Sequence, residues 1–114
     1  MKPGRRGTGA LALLLAALGT PPGSAGAGPD PARQGELLNL LRHDCGSCHG
    51  MRLEGGLGPS LTVASLAGKP AGLLTDAIRN GRAGTAMPPW LGMLRDDEIA
   101  WLVGQLQAGV RADD

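Results

Sequence analysis

Residues 40–53 read "LLRHDCGSCHGMRL" and hold both cysteines and both histidines of a 114-residue chain. The four Cys and His side chains thus fall within seven positions, His43 to His49, and the chain has no other Cys or His. They sit too close together to cage a bare ion comfortably, so the flanking sequence must say what they hold. Upstream, Asp30-Pro31 pairs a good N-cap with a proline at the first helical position. Leu37, Leu38, Leu40 and Leu41 then supply an apolar face, so a helix is expected to run into the cysteines. Downstream, "GMRLEGGLGPS" (50–60) is too rich in glycine for a helix interior and reads as a loop.

Beyond that loop the pattern stays helical. A short helix is expected over Thr62–Leu66. Another starts near Pro70, carries Leu73, Leu74, Ala77 and Ile78 at helical spacing and stops at Asn80-Gly81. "RAGTAMPPWLG" (82–92) is a loop stiffened by two prolines. The last helix begins around Asp96-Asp97-Glu98, whose charges suit a helix N-terminus, and aligns Ile99, Leu102, Val103 and Leu106. The tail from Gly109 to Asp114 is expected to fray. No run of alternating β-branched residues calls for a sheet, so the fold class is all-α, about four helices and their loops.

The N-terminus reads as a removable address. Lys2, Arg5 and Arg6 precede an apolar run, Ala10–Leu18, too short to span a bilayer. Prolines and glycines follow, and Ala25–Ala27 fits small-x-small cleavage. The Arg5-Arg6 pair lacks the hydrophobic residues usual after a twin-arginine signal, so Sec export is the expectation. Residues 1–27 are then a signal peptide and 28–114 one domain, placed in the periplasm with no stable membrane association after cleavage. That domain has neither Phe nor Tyr, and its aromatics are Trp90 and Trp101. So small a chain, so poor in bulky groups, needs something else to fill its core. Cleavage leaves eight basic residues against ten acidic ones, which excludes a nucleic-acid-binding balance.

Cys45, Cys48 and His49 form C-x-x-C-H, the attachment signature of covalent haem. One helical turn separates the thiols, so both reach the same porphyrin edge while the imidazole addresses the iron. A structural zinc site would need a second, distant ligand pair. A redox dithiol would be expected beside a βαβ pattern. A plain disulfide leaves His49 unexplained. One haem c, bound through Cys45 and Cys48, answers the clustering best. Its second axial donor is expected to be Met87, in a loop locked by Pro88 and Pro89, giving His49 and Met87 as the iron ligands. His43 reads as a surface residue, Met51 stays on the proximal side, and Met93 reads as a gap-filler.

"CGSCHG", "LGPSL", "NGRAGTAMPPW" and "RDDEIAWLVGQL", in this order and spacing, resemble a class I cytochrome c over essentially the whole mature chain. "DPARQGELLNLLRHDCGSCHGMRLEGGLGPSLT", with "LAGKP" and "GTAMPPW", is similar to the cytochrome c55X family, small periplasmic cytochromes encoded with the cytochrome cd1 nitrite reductase of denitrifying bacteria. The resemblance implies that the Pro59 carbonyl accepts the Nδ1–H of His49 and that Trp90 lies against the haem. It also implies that Trp101 packs the last helix on the first. Related chains often cap the last helix with Ser or Thr; here Arg95 stands there, and the cap is expected at Asp96.

With both axial positions filled, the expected function is outer-sphere electron transfer by a monomer, not enzymatic turnover. Cytochrome cd1 nitrite reductase is the expected partner. The alternative is an accessory role in maturation of that reductase or its d1 haem. A gas sensor would require Met87 to be labile. Residues 42–95 carry six basic side chains against three acidic ones, while 96–114 sum to −4. That asymmetry suggests a basic collar facing an acidic redox partner.

Overall fold

A computed structural model describes residues 28–110 and the isolated positions 1, 4, 7, 18 and 19. Apart from those few positions, the expected signal peptide lies outside the described residues, as do residues 111–114. Helix α1 (Pro31–Leu40) starts as the sequence dictates. Asp30 is extended at φ −67° and ψ 165°, and its Oδ1 accepts the Arg33 N–H at 3.0 Å. The chain then continues through a π-helical turn, Leu41–Cys45, in which the Gly46 N–H reaches back five residues to the Leu41 carbonyl. Helix α2 (Gly46–His49) completes the arm and ends at Gly50, whose φ of +93° no side chain adopts easily. The cysteines thus stand at the end of one unbroken helical arm. A wider turn lies just before them, of a kind frequent at functional sites.

Helix α3 (Val63–Leu66) is capped by Thr62, whose hydroxyl accepts the Ser65 N–H at 3.4 Å. Helix α4 (Ala71–Asn80) follows Pro70 and stops at Gly81 with φ +68°. Helix α5 (Asp96–Ala108) packs on α4, α3 and α1. Its N-cap is Arg95 rather than Asp96. The backbone at Arg95 is already extended, and the Glu98 carboxylate folds back to accept the Arg95 N–H at 2.9 Å. The acidic side chain one turn in thus supplies the half of a capping box that satisfies the N-cap N–H, while the Arg95 guanidinium has no acceptor with which to take a hydroxyl's part. Of the tail expected to fray, the two described residues, Gly109 and Val110, close the helix instead. Gly109, in the left-handed region, donates to the Leu106 carbonyl, and Val110 donates to Gln105, a Schellman closure.

The core gathers Leu37 and Leu41 from the arm, Leu66 from α3, Leu94, and Ile99, Leu102 and Leu106 from α5, with Trp90 and Trp101 packed around them. Leu53 joins them from the middle of the glycine-rich loop, 2% exposed and at φ 60°. One charge is buried with this core. Glu98, 3% exposed, receives Arg33 Nε at 2.6 Å, which ties α5 to α1. The Arg33 and Arg95 contacts hold its carboxyl below the usual carboxylate range. No strand occurs among the described residues, and none of their helices is long and apolar enough to cross a membrane.

Candidate functional site

The end of the arm presents two free thiols one turn apart. Cys45 is half-buried against the core and Cys48 is exposed. Burial, with Asp44 beside it, pushes the Cys45 thiol up to about 11, so it stays protonated at neutral pH. His49 closes the arm, and its Nδ1 lies 2.6 Å from the Pro59 carbonyl oxygen. A carbonyl only accepts, so Nδ1 is the donor of this contact, and in the neutral ring that tautomer leaves the lone pair on Nε2.

The loop that brings Pro59 to the ring is anchored on the arm itself. The Gly55 N–H donates to the His49 carbonyl and the Gly58 N–H to the Cys48 carbonyl, both at 2.7 Å. Two of the carbonyls left over at the helix end are thereby satisfied. A Cβ at Gly58 would lie 2.9 Å from two atoms of the His49 ring, so only glycine lets the loop lie this close. The buried Leu53 pins its far side, and its carbonyl accepts the Leu61 N–H at 2.9 Å.

Met87 and Trp90 belong to a second loop, stitched to the end of α4. Trp90 N–H donates to the Ile78 carbonyl and Leu91 N–H to Arg79, both at 3.0 Å, while the Met87 carbonyl accepts the Arg82 N–H at 3.3 Å. Met87 and Trp90 are half-buried, and Trp90 packs against the core. His43 is exposed. Met93 departs from the expected gap-filler: it is 63% exposed, because its neighbour Leu94 takes the buried place.

The donor set and the surface around it suit a haem. An imidazole with its lone pair on Nε2 and a loop thioether are both haem-iron donors, and two free thiols stand beside the imidazole. Among the described residues, no three His, Cys, Asp or Glu side chains converge to hold a bare metal ion. On helix α4, Leu74 and Ile78 are partly buried against the core while Leu73 is exposed, as are Leu57 and Leu91. These exposed leucines are apolar surface that a large apolar group could cover.

The basic collar is smaller than the residue count implies. Arg79 Nε sits 2.9 Å from Asp96, and Arg95 pairs with Asp97 at 3.1 Å and approaches Glu98. Two of the six positive charges are therefore offset by α5. Sequence reasoning also missed Leu53, Gly58 and Gly81 as parts that hold the two loops. A glycine beside a proline was the available signal for Gly58, and nothing local marked Leu53.

A strand-free helical fold with a C-x-x-C-H arm is that of a class I c-type cytochrome. The family model described as cytochrome C oxidase, cbb3-type, subunit III matches residues 31–104, and the chain belongs to this family of c-type cytochromes, for which haem c is the implied cofactor. It is similar to cytochrome c55X of Pseudomonas aeruginosa, with 50% identity over 99 residues, 87% of this chain and 83% of that one. A solved c-type cytochrome NirC shares 52% identity at a TM-score of 0.69, covering 70% of this chain and 94% of that one. Dihydro-heme d1 dehydrogenase of Pseudomonas aeruginosa is 36% identical over 85% of this chain, which matches only 17% of that protein.

Proposed function

We propose that this chain carries one haem c, attached at Cys45 and Cys48 and ligated by His49 and Met87, and works in the periplasm as an electron carrier. The cofactor supplies reversible one-electron chemistry, and the protein supplies its surroundings. The observation that carries the proposal is the 2.6 Å contact between His49 Nδ1 and Pro59 within a C-x-x-C-H arm. Accepting the Nδ1 proton fixes the ring and makes Nε2 the stronger donor. Met87, held by a proline-stiffened loop, would be the weaker donor to the iron. Packed against the cofactor, apolar side chains of α4 and Trp90 would exclude water, which would disfavour extra positive charge and favour the reduced state. With His49 and Met87 both bound, no position would be left for a substrate, which favours a carrier over an enzyme.

The proposed acceptor is cytochrome cd1 nitrite reductase, supported by the likeness to the c55X cytochromes. Stopped-flow mixing of the reduced chain with the oxidised reductase tests this. Rapid, salt-sensitive oxidation is expected. Slow oxidation, alongside fast exchange with a small redox dye, would reject this partner.

A second reading is favoured by the likeness to part of dihydro-heme d1 dehydrogenase: an accessory role in maturation of the reductase or its d1 haem. In that case, mixing the oxidised chain with the dehydrogenase and its substrate reduces the chain faster than the reductase oxidises it. Export by Sec with cleavage near Ala27 is tested by N-terminal sequencing of the periplasmic protein.

A further inference from the structure

We propose that Gly81 is a positioning residue for the Met87 thioether: it is the seat on which the backbone of Met87, Pro88 and Pro89 closes against the end of α4. The inference rests on the reading of Met87 as an axial ligand. A Cβ at position 81 would lie 2.7 Å from the Met87 carbonyl oxygen, 2.8 Å from the Pro88 carbonyl carbon and 2.8 Å from the Pro89 nitrogen. All three are backbone atoms, so no side chain can swing aside to make room.

The seat is also closed on both flanks. Arg82 N–H holds the Met87 carbonyl on one side, and the bonds from Trp90 to Ile78 and from Leu91 to Arg79 hold the other. Pro88 and Pro89 have locked φ angles, which removes the softest way for the loop to yield. Gly81 itself stands at φ +68°, where a side chain adds strain to the collision. Other glycines nearby lack this seat. Gly84 has a similar φ of +77° but nothing within 4 Å, and Gly72, within α4, also faces open space.

A thioether binds iron weakly, so its occupancy depends on how well the polypeptide holds the sulfur. Any side chain at position 81 must move the backbone that carries it. The cysteines and His49 stand on the helical arm, away from this seat, so haem attachment is expected to be independent of it.

The test compares haem-loaded Gly81→Ala, Gly84→Ala and Met87→Ala with the wild type. Two quantities are read in the ferric state: the weak far-red charge-transfer band of the iron–thioether bond, and the apparent affinity for cyanide. Cyanide competes for the position that Met87 leaves, so its apparent affinity rises in proportion to the detached fraction. Gly81→Ala is expected to keep covalent haem, to lose most of the band and to bind cyanide at least about tenfold more tightly. Gly84→Ala is expected to stay near the wild type.

Wild-type behaviour of Gly81→Ala overturns the proposal, as does an equal loss in Gly84→Ala, which would assign the effect to φ strain alone. If the band persists in Met87→Ala, the ligand reading fails and the seat falls with it. Its loss in Met87→Ala with no change in Gly81→Ala sinks the seat alone. Should Gly81→Ala not accumulate, Gly81→Ala/Pro89→Ala is measured instead. Freeing φ at position 89 lets the loop shift; the band is again expected to weaken, and a wild-type band and affinity there overturn the seat.

Discussion

Leu53 shows how much can depend on a residue that no local pattern marks. It is a leucine in a glycine-rich loop, in the left-handed backbone region, yet buried against the core. Holding a non-glycine residue at that φ costs about 1–3 kcal/mol, so the surrounding contacts must offset the strain. Its side chain pins the loop that delivers the Pro59 carbonyl to His49. Leu53→Ala is expected to lower the stability of the loaded protein by about 2–5 kcal/mol, the range for truncating a buried leucine. Urea unfolding followed by far-UV circular dichroism measures it. A loss below about 0.5 kcal/mol, the range of an ordinary surface substitution, would mean that the loop is held without this anchor.

At the scale of elements, the junction of α1 and α5 depends on one buried carboxylate. Glu98 caps α5 by accepting from the Arg95 backbone and ties it to α1 through Arg33. Because its folded pKa lies below the ordinary 4.5, its contribution is complete above that value and fades as the pH falls through the lower, folded one. The wild type should therefore lose thermal stability below about pH 4.5. Glu98→Gln should melt lower than the wild type at neutral pH and show a shallower acid decline, so the two curves converge on acidification. Parallel curves across the whole range would remove Glu98 from the acid response. The π-helical turn before Cys45 belongs to this scale too. It joins α1 and α2 without a break, so the direction in which the cysteines leave the arm is set by α1 and its packing on α5.

Over the whole molecule, charge is arranged less simply than the sequence implies. Arg79 and Arg95 turn toward the acidic start of α5, while Arg52, Lys69 and Arg82 remain exposed. If a basic surface steers the protein to an acidic partner, an arginine outside the ion pairs should matter more than one already neutralised. Arg82→Glu is expected to slow oxidation by the proposed acceptor several-fold at low salt and little at high salt, and Arg79→Glu to slow it less. Stopped-flow rates at two ionic strengths decide it. Equal rates for both variants and the wild type would exclude steering by this face. Neutral scatter of charge would then be the better description of the surface.

The sequence by itself determined most of what depends on neighbours along the chain, though not which residue begins α5. The C-x-x-C-H spacing, the Asp30-Pro31 start of α1, the glycine stop of α4 and the acidic start of α5 are local matters of dihedral angle, hydrogen-bond reach and helical period. The helical class and the loop boundaries followed from them. Periodicity tells which face of a helix is apolar, but not what covers it: α4 has such a face and fully buries none of its residues. Only the tertiary structure decided that Leu53 is core, that Arg95 caps α5, and that Arg33 meets Glu98 across 65 positions of chain. It alone brought Pro59 to 2.6 Å from His49 and seated the Met87 loop on Gly81. Apart from the Arg95 cap, which is a matter of one turn, these contacts fold a loop or helix onto another element, and their closeness is set by how helices and loops pack rather than by any pattern within one of them.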